Sequence, residues 1–378
     1  MDEFYMQQAL AIARYATGRT SPNPLVGAVI VKDGRIVGQG WHRKAGTPHA
    51  EVHALAQAGE LAKGATIYVT LEPCSHHGRT GPCADALIEA GVKKVVVAMT
   101  DPNPEVAGNG LTRLRAAGIE VVEGVLIAEA IQINEVFLKW ITTGMPFGIL
   151  KTAMTLDGKI AAHTGHSKWI TSASAREYVH KLRDIYDGIL VGVGTILADN
   201  PKLTTRLLEG GHNPVRIIVD TMARTPLTAN VVTDKEAPTI IAVGREAPVE
   251  RVEALRKLGV EVLVLEQNTQ GVKLRQLFKV LGEKRITSVF IEGGATINAS
   301  LLADNLIDKV YSFVAPKIIG GKKAPGPVGG NGVDQVDQAI MLENITTQTI
   351  GDDILISGYV VGREGCDVYR ACGGTGES

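Results

Sequence analysis

The sequence predicts an α/β protein of two domains, and three observations carry that prediction. Short runs of apolar, mostly β-branched residues alternate with segments whose apolar positions recur at helical spacing, which is the pattern of a sheet covered by helices. The chain has 378 residues, more than one ordinary hydrophobic core spans. At Thr143-Gly144-Met145-Pro146 a helical pattern stops and a new strand begins, so Gly and Pro mark a boundary. Domains are therefore expected over residues 1–145 and 146–363, with residues 364–378 a disordered Gly-rich tail. No repeat of fixed period relates the two halves.

In the first part, residues 2–17 carry the spacing of an amphipathic helix. LVGAVIV (25–31) reads as a strand, Lys32-Asp33-Gly34-Arg35 as a turn, and IVGQGWH as the returning strand, because Asp-Gly between apolar runs signals a hairpin. A helix over 50–58 stops at Gly59, a strand follows at 65–71, a helix at 83–90 closes at Gly91, and another strand spans 92–100. LTRLRAAG leads into the strand IEVVEGV within 111–126, and a last helix covers 128–142.

The second part opens with the strand FGILKTAMT and a turn at Asp157-Gly158. Further strands are expected in DGILVGVGT, PVRIIVD, PTIIAVG, VEVLVL, SVFIEGG and KVYSFVAP, with helices such as ERVEALRKLG and VKLRQLFKVLG between them. That alternation gives a mostly parallel sheet with helices on both faces. The glycine-rich run after Gly320-Gly321 reads as a mobile loop.

Composition narrows the function. Hydrophobic content of 45% with 21% charged residues is that of a globular protein, and no apolar run approaches the roughly 20 residues of a membrane helix. The formal net charge is −1, so no broad basic field exists to hold a polynucleotide by counterion release. The N-terminus begins with acids and lacks the pattern of a signal peptide, which points to the cytoplasm. Four cysteines make no disulfide framework in a chain of this length. Cys366 and Cys372 in the tail read as free thiols, with metal binding or a crosslink as the alternatives.

Chemistry concentrates in HAEVHAL (49–55) and EPCSHHGRTGPCADAL (72–87). His49, Cys74 and Cys83 offer three ligands to one Zn²⁺ and leave a fourth position for water, which is the arrangement of catalytic rather than structural zinc. Both His49 and Cys83 stand where helices start, and free amides and the helix dipole favour a thiolate there. Glu51 lies two residues from the histidine, placed to move protons rather than bind metal. A zinc-activated water attacks a ring carbon bearing an amine, so the expected reaction is hydrolytic deamination. Alternatives stay open: a helix-capping His, buried apolar cysteines, or His53 as a fourth ligand that makes the site structural and leaves Glu51 idle. His77 has no assigned role.

His49-Ala50-Glu51 with Pro73-Cys74 resembles the cytidine deaminase superfamily, whose signature is H-x-E with P-C-x-x-C. Here eight residues, not two, separate the cysteines. That spacer, ending HGRTGPC, together with Ser21-Pro22-Asn23-Pro24 and Val26-Gly27, resembles the deaminase half of the bifunctional riboflavin biosynthesis RibD family. The resemblance runs over about residues 1–363. It implies a three-layer α/β/α, cytidine-deaminase-like first domain, with Asn23, His42, His76 and Arg79 lining the substrate pocket. The chain departs from the family's common Lys and Pro at Arg79 and Gly81.

Further on, Gly192-Val193-Gly194 follows a strand, but no third glycine completes the dinucleotide fingerprint. In VFIEGGATINASLL (289–302) a buried strand ends at Glu292-Gly293-Gly294 and a helix starts, which reads as a phosphate site on free amides or as a simple tight turn. Lys151, Asp157, Asp199 and Asp220 gather at other strand ends, where open α/β sheets bind ligands, although single acids there are commonly caps.

KTAMTLDGKIA, GILVGVGTILADNPKLTTR and FIEGGATINASLL resemble the reductase half of the same family. The resemblance implies a dihydrofolate-reductase-like α/β fold, NADPH as cofactor and no metal in this half. It places NADPH at Ala153, Trp169, Thr195, Asp199, Thr221 and the turn of Gly294, Ala295, Thr296, Ile297, Asn298, Ala299 and Ser300. It places substrate at Ser167, Arg183, Leu203, Arg206 and Glu292. Arg183 and Arg206 suit a phosphate by charge-assisted bonds, and Lys151 and Asp199 suit proton delivery. The expected protein is thus a two-site enzyme. It deaminates 2,5-diamino-6-ribosylamino-4(3H)-pyrimidinone 5′-phosphate with zinc, then reduces the ribose of the product with NADPH. A homo-oligomer joined through the reductase domain is expected, with no nucleic-acid or membrane partner. A nucleoside or tRNA-base deaminase fused to an unrelated reductase, and a non-catalytic structural-zinc module, are the alternatives.

Overall fold

A computed structural model describes residues 1–75, 81–103 and 107–362. Two units separate, Met1–Gly144 and Met145–Arg363, each with its own sheet and core. No described helix is long and apolar enough to cross a membrane.

In the first unit the hairpin forms where Asp-Gly predicts it. Strand β1 (Gly27–Lys32) turns through Asp33 and Gly34, both at positive φ, into β2 (Arg35–Trp41). β1 also pairs antiparallel with β3 (Thr66–Val69), and β4 (Lys94–Val97) and β5 (Glu120–Glu123) extend the sheet in parallel, in the order β2-β1-β3-β4-β5. Period-two alternation sorts the side chains into two buried layers. Ala28, Ile30, Ile67, Val69, Val95 and Val97 meet α2 (Ala50–Ala58), α3 (Cys83–Glu89) and α4 (Asn109–Ala116). Val29, Val31, Tyr68 and Val96 meet α1 (Asp2–Ala13), α5 (Ile127–Ile133) and α6 (Glu135–Thr143). The result is a three-layer α/β/α unit.

The single helix expected over 128–142 is instead two, divided at Asn134. That side chain accepts the Leu25 N–H at 2.7 Å and donates to the Leu25 carbonyl at 3.0 Å, so it pairs with backbone just before β1. α2 lies very close on the hairpin because Gly38 and Gly40 permit it. A Cβ at either would come within 2.4 Å of a helix carbonyl, Ala54 O or Ala50 O.

The second unit begins with β6 (Phe147–Thr155), then α7 (Ala173–Ile185), β7 (Gly188–Gly192), α8 (Val193–Asp199), β8 (Val215–Val219) and α9 (Asn230–Thr233). It continues with β9 (Thr239–Gly244), α10 (Val249–Lys257), β10 (Glu261–Leu265), the ribbon β11 (Gln267–Asn268) and β12 (Gly271–Val272), and α11 (Leu274–Glu283). β13 (Ser288–Ile291), α12 (Ala295–Ala303), β14 (Lys309–Ala315), β15 (Leu342–Ile350) and β16 (Asp353–Val360) complete it. The nine strands lie in the order β10-β9-β8-β7-β13-β6-β14-β16-β15. Pairing is parallel as far as β14 and antiparallel beyond it. α11 and α12 cover one face over Leu190, Ile217, Val289 and Ile291; α8, α9 and α10 cover the other over Ile189, Val191, Ile218 and Ile241.

Two differences from the sequence expectation have local causes. The expected strand DGILVGVGT ends at Gly192, and Val193-Gly194-Thr195 is instead the first turn of α8. The β15–β16 hairpin was not expected, because β15 is largely exposed and its pairing shifts register between Glu343 and Thr346, which blurs the alternation.

Candidate active sites

His49 is the N-cap of α2 and Cys83 the first residue of α3, so two helix starts and the Cys74 loop after β3 converge. The ligand atoms of His49, Cys74 and Cys83 lie within 4.8 Å of one another. His49 Nδ1 stands 3.2 Å from Cys83 Sγ and 3.5 Å from Cys74 Sγ. Hydrogen bonds from the Cys83 thiol, His49 and the Cys83 backbone N–H lower the Cys74 pKa to about 4, against the opposing effect of burial. One nitrogen and two sulfurs fit a zinc ion. His53 is not part of this group among the described residues.

Glu51, in the first turn of α2, is 2% exposed, and its Oε2 has no hydrogen-bond partner among the described residues. Burial raises its pKa to about 7 although His49 opposes the shift, so the carboxyl exchanges a proton near neutrality. His42 lies beside the cluster, its ring 5.4 Å from that of His49. His42 Nδ1 donates to the Pro48 carbonyl at 3.3 Å, which leaves Nε2 to accept from Asn23 Nδ2 at 3.1 Å. Burial lowers the His42 pKa, against the Pro48 hydrogen bond that raises it. His76, Arg79 and His77, like Cys366 and Cys372, lie outside the described residues.

Sequence reasoning missed Glu72, two residues before Cys74. Its carboxylate is 4% exposed and accepts N–H bonds from Asp101, Gly108, Gly110 and Leu111 at 2.9–3.4 Å. It thereby fastens the start of α4 to the Cys74 loop. Gly110 is required there, because a Cβ would lie 2.0 Å from Pro73 O. A Glu before Pro-Cys carries no signal of this role on its own; the partners are long-range.

In the second unit three predicted residues meet. Glu292 follows β13 and receives Arg183 Nε at 2.6 Å and Lys151 Nζ at 3.4 Å. Burial would raise its pKa, but the two cations outweigh burial and hold it at about 2. Arg183 also donates to Thr204 O at 3.0 Å. Arg206 is exposed nearby, its pKa lowered by partial burial and by Arg183. Between them His180, unremarked in the sequence, accepts the Arg206 N–H at 3.3 Å and is pushed to about 4 by burial and the two arginines.

The other predicted residues are more dispersed. Asp199 ends α8 with its side chain exposed, 3.8 Å from Lys168. Ser167 and Trp169 lie on the loop after β6, with Arg176 4.4 Å over the Trp169 ring. Leu203 is buried at positive φ, Ala153 is on β6 and Thr195 on α8. Asp157 and Asp220 are turn residues: Asp157 accepts from the Ile319 and Gly320 amides, and Asp220 from Thr225.

Gly294 is the N-cap of α12, and Cβ-sized space there is open. Thr221, Ile297 and Ser300 share a cavity of about 290 Å³ with Lys273 and Arg275, which the sequence reading did not single out. The cavity runs along α12 from Ile297 to the C-cap Asp304, so an acid lines it with the two cations. Asn298, however, is 2% exposed and turned away from that space, toward Gly293 O and Pro327 O.

Comparison with known proteins agrees with both halves. Residues 1–99 match the family described as the cytidine and deoxycytidylate deaminase zinc-binding region, and residues 146–356 match the RibD C-terminal domain. The riboflavin biosynthesis protein RibD of Actinobacillus pleuropneumoniae is 49% identical over 94% of each chain. That of Bacillus amyloliquefaciens is 46% identical over 98% of this chain and 100% of the other. Among solved structures, Acinetobacter baumannii RibD superposes with a TM-score of 0.86 at 41% identity, covering 95% of this chain and 99% of that one.

Proposed function

Since the chain belongs to the RibD family of bifunctional riboflavin biosynthesis enzymes, a zinc-dependent deaminase joined to an NADPH-dependent reductase, we propose that it acts twice on one phosphorylated pyrimidine. The first unit deaminates 2,5-diamino-6-ribosylamino-4(3H)-pyrimidinone 5′-phosphate to 5-amino-6-(5-phosphoribosylamino)uracil. The second reduces the ribose of that product to a ribityl chain. The observation that carries this reading is the His49, Cys74 and Cys83 cluster beside the buried carboxyl of Glu51, on the same chain as the Lys151–Glu292–Arg183 cluster.

In the first site His49, Cys74 and Cys83 hold zinc, which when bound supplies a Lewis acid that acidifies water at neutral pH. Glu51 takes the proton of the attacking water on Oε2 and returns it to the departing ring amine, leaving as ammonia. His42, held by its bond to Pro48 O, aligns Asn23, and the two orient the pyrimidine. His76 and Arg79 complete the same pocket in this proposal.

In the second site NADPH supplies hydride to the sugar carbon. Opening the sugar ring also requires a proton on its oxygen, and in this proposal Lys151 and Asp199 deliver it. Glu292 fixes Lys151 and Arg183, and Arg183 and Arg206 hold the 5-phosphate with Ser167 and Leu203 beside it. Ala153, Trp169, Thr195, Thr221 and the Gly294–Ser300 turn, apart from the inward-turned Asn298, receive the cofactor. Self-association through this unit belongs to the same proposal, and the unpaired outer edge of β15 supports it; sedimentation velocity tests it.

The reading is tested by incubating purified protein with the diaminopyrimidine phosphate and NADPH while following ammonia and NADPH oxidation separately. Both signals are expected, with ammonia first. Neither appearing overturns the proposal.

A further inference from the structure

The glycine-rich segment after β14, which composition makes a mobile loop, is bonded along its length to two other parts of the second unit. On one side it meets the loop that follows β6. The Leu156 N–H donates to Lys317 O at 2.8 Å and the Ile160 N–H to Pro325 O at 3.0 Å. Asp157 accepts from the amides of Ile319 and Gly320 at 3.1 and 2.7 Å, and Lys317 Nζ reaches the carbonyls of Trp169 and Ile170 at 3.0 and 2.6 Å.

On the other side the segment lies on α12. The Gly329 N–H donates to Ala295 O at 3.0 Å. Cβ atoms at Gly329 and Gly330 would meet Ala295 and Ala299 at 3.3 and 3.2 Å, so glycine sets how closely the segment approaches the helix. Asn298 makes the deeper link: its Nδ2 donates to Gly293 O at 3.2 Å and to Pro327 O at 2.9 Å. The side chain is 2% exposed and its Oδ1 has no partner, so both donors are spent on backbone and none faces a ligand.

We propose that Asn298 is a positioning residue rather than a cofactor contact: it ties the glycine turn before α12 to the 317–330 segment, so that filling that turn also orders the loop carrying Ser167 and Trp169. This rests on the reading of the Gly294–Ser300 turn as the cofactor site. One planar amide spans the Gly293 and Pro327 carbonyls, so a displacement of the turn moves Pro327. From Pro327 the bonds at Pro325, Gly320 and Lys317 carry the displacement to Ile160, Asp157 and Trp169. The coupling thus runs through a contiguous set of hydrogen bonds.

The test measures NADPH affinity by fluorescence titration, and amide hydrogen exchange at Leu156, Ile160, Ile319 and Gly320 with and without NADPH. It compares the wild type with Asn298→Asp, which removes both donors at constant shape, and Gly329→Ala, which lifts the segment from α12. In the wild type NADPH slows exchange at all four amides. In either variant NADPH still binds, about tenfold more weakly, and slows exchange only within residues 293–300. Wild-type exchange protection without NADPH at the core amides of β8 and β13 confirms that the second unit of a variant is folded, and one folded variant suffices. Wild-type protection retained in the variant means direct contact and overturns the proposal, as does NADPH binding to the wild type without protection at the four amides. Failure of the wild type to bind NADPH overturns the cofactor reading and this proposal with it.

Discussion

Glu51 and Glu292 are both buried carboxylates, and their surroundings move them in opposite directions. Among the described residues no cationic side chain is bonded to Glu51, and burial lifts it to about 7, where it can take and return a proton. Glu292 lies between Arg183 and Lys151, which hold it at about 2, so it stays an anion that fixes two cations. Two environments give two jobs to one residue type. The sign of the pH effect follows for Glu292. Its folded pKa is below the ordinary 4.5, so its stabilisation is present above about 4.5 and is lost as pH falls toward about 2. Unfolding measured from pH 5 to 2.5 should show the second unit weakening in that window. Glu292→Gln should remove that part of the pH dependence and cost about 3–5 kcal/mol at pH 7, because Arg183 and Lys151 lose a buried partner. At this scale the sequence was most legible: His49, Glu51, Cys74 and Cys83 announce their chemistry by residue type and order. Asn298 shows the limit, since its spacing on the glycine turn says nothing of a side chain turned inward.

The elements that position these residues depend on close backbone approaches. Gly38 and Gly40 let α2 lie on the hairpin and so place His49 and Glu51, and Gly110 lets α4 lie against Pro73 beside Cys74. Gly110→Ala should therefore displace the Cys74 loop and destabilise the first unit by about 1–3 kcal/mol. Zinc content and ammonia release should fall, while NADPH oxidation with supplied deaminated substrate is unchanged. Retention of full zinc content on elemental analysis would show that the approach is not needed. Strands and helices with a clean period were readable, β6 to the residue. The break between α5 and α6 was not, because Asn134 finds its partner Leu25 109 positions away. Nor was β15, whose mostly exposed side chains leave little apolar alternation.

At the scale of the whole molecule, two units with separate sheets predict two activities that can be lost one at a time. Removing zinc with a chelator should stop ammonia release and leave NADPH oxidation with deaminated substrate intact. Asp199→Ala should do the reverse, lowering NADPH oxidation about 10²-fold or more and sparing deamination. Simultaneous loss in either experiment argues against independent sites. The most direct measurement uses Glu51→Gln, supplied first with the diaminopyrimidine phosphate and then with the deaminated compound, with zinc content measured on the same sample. Zinc at the wild-type level, ammonia release reduced by at least about 10²-fold, and NADPH oxidation at the wild-type rate are predicted. Ammonia release at the wild-type rate, or loss of both activities with zinc still bound, would contradict a proton-moving Glu51 in a site separate from the reductase.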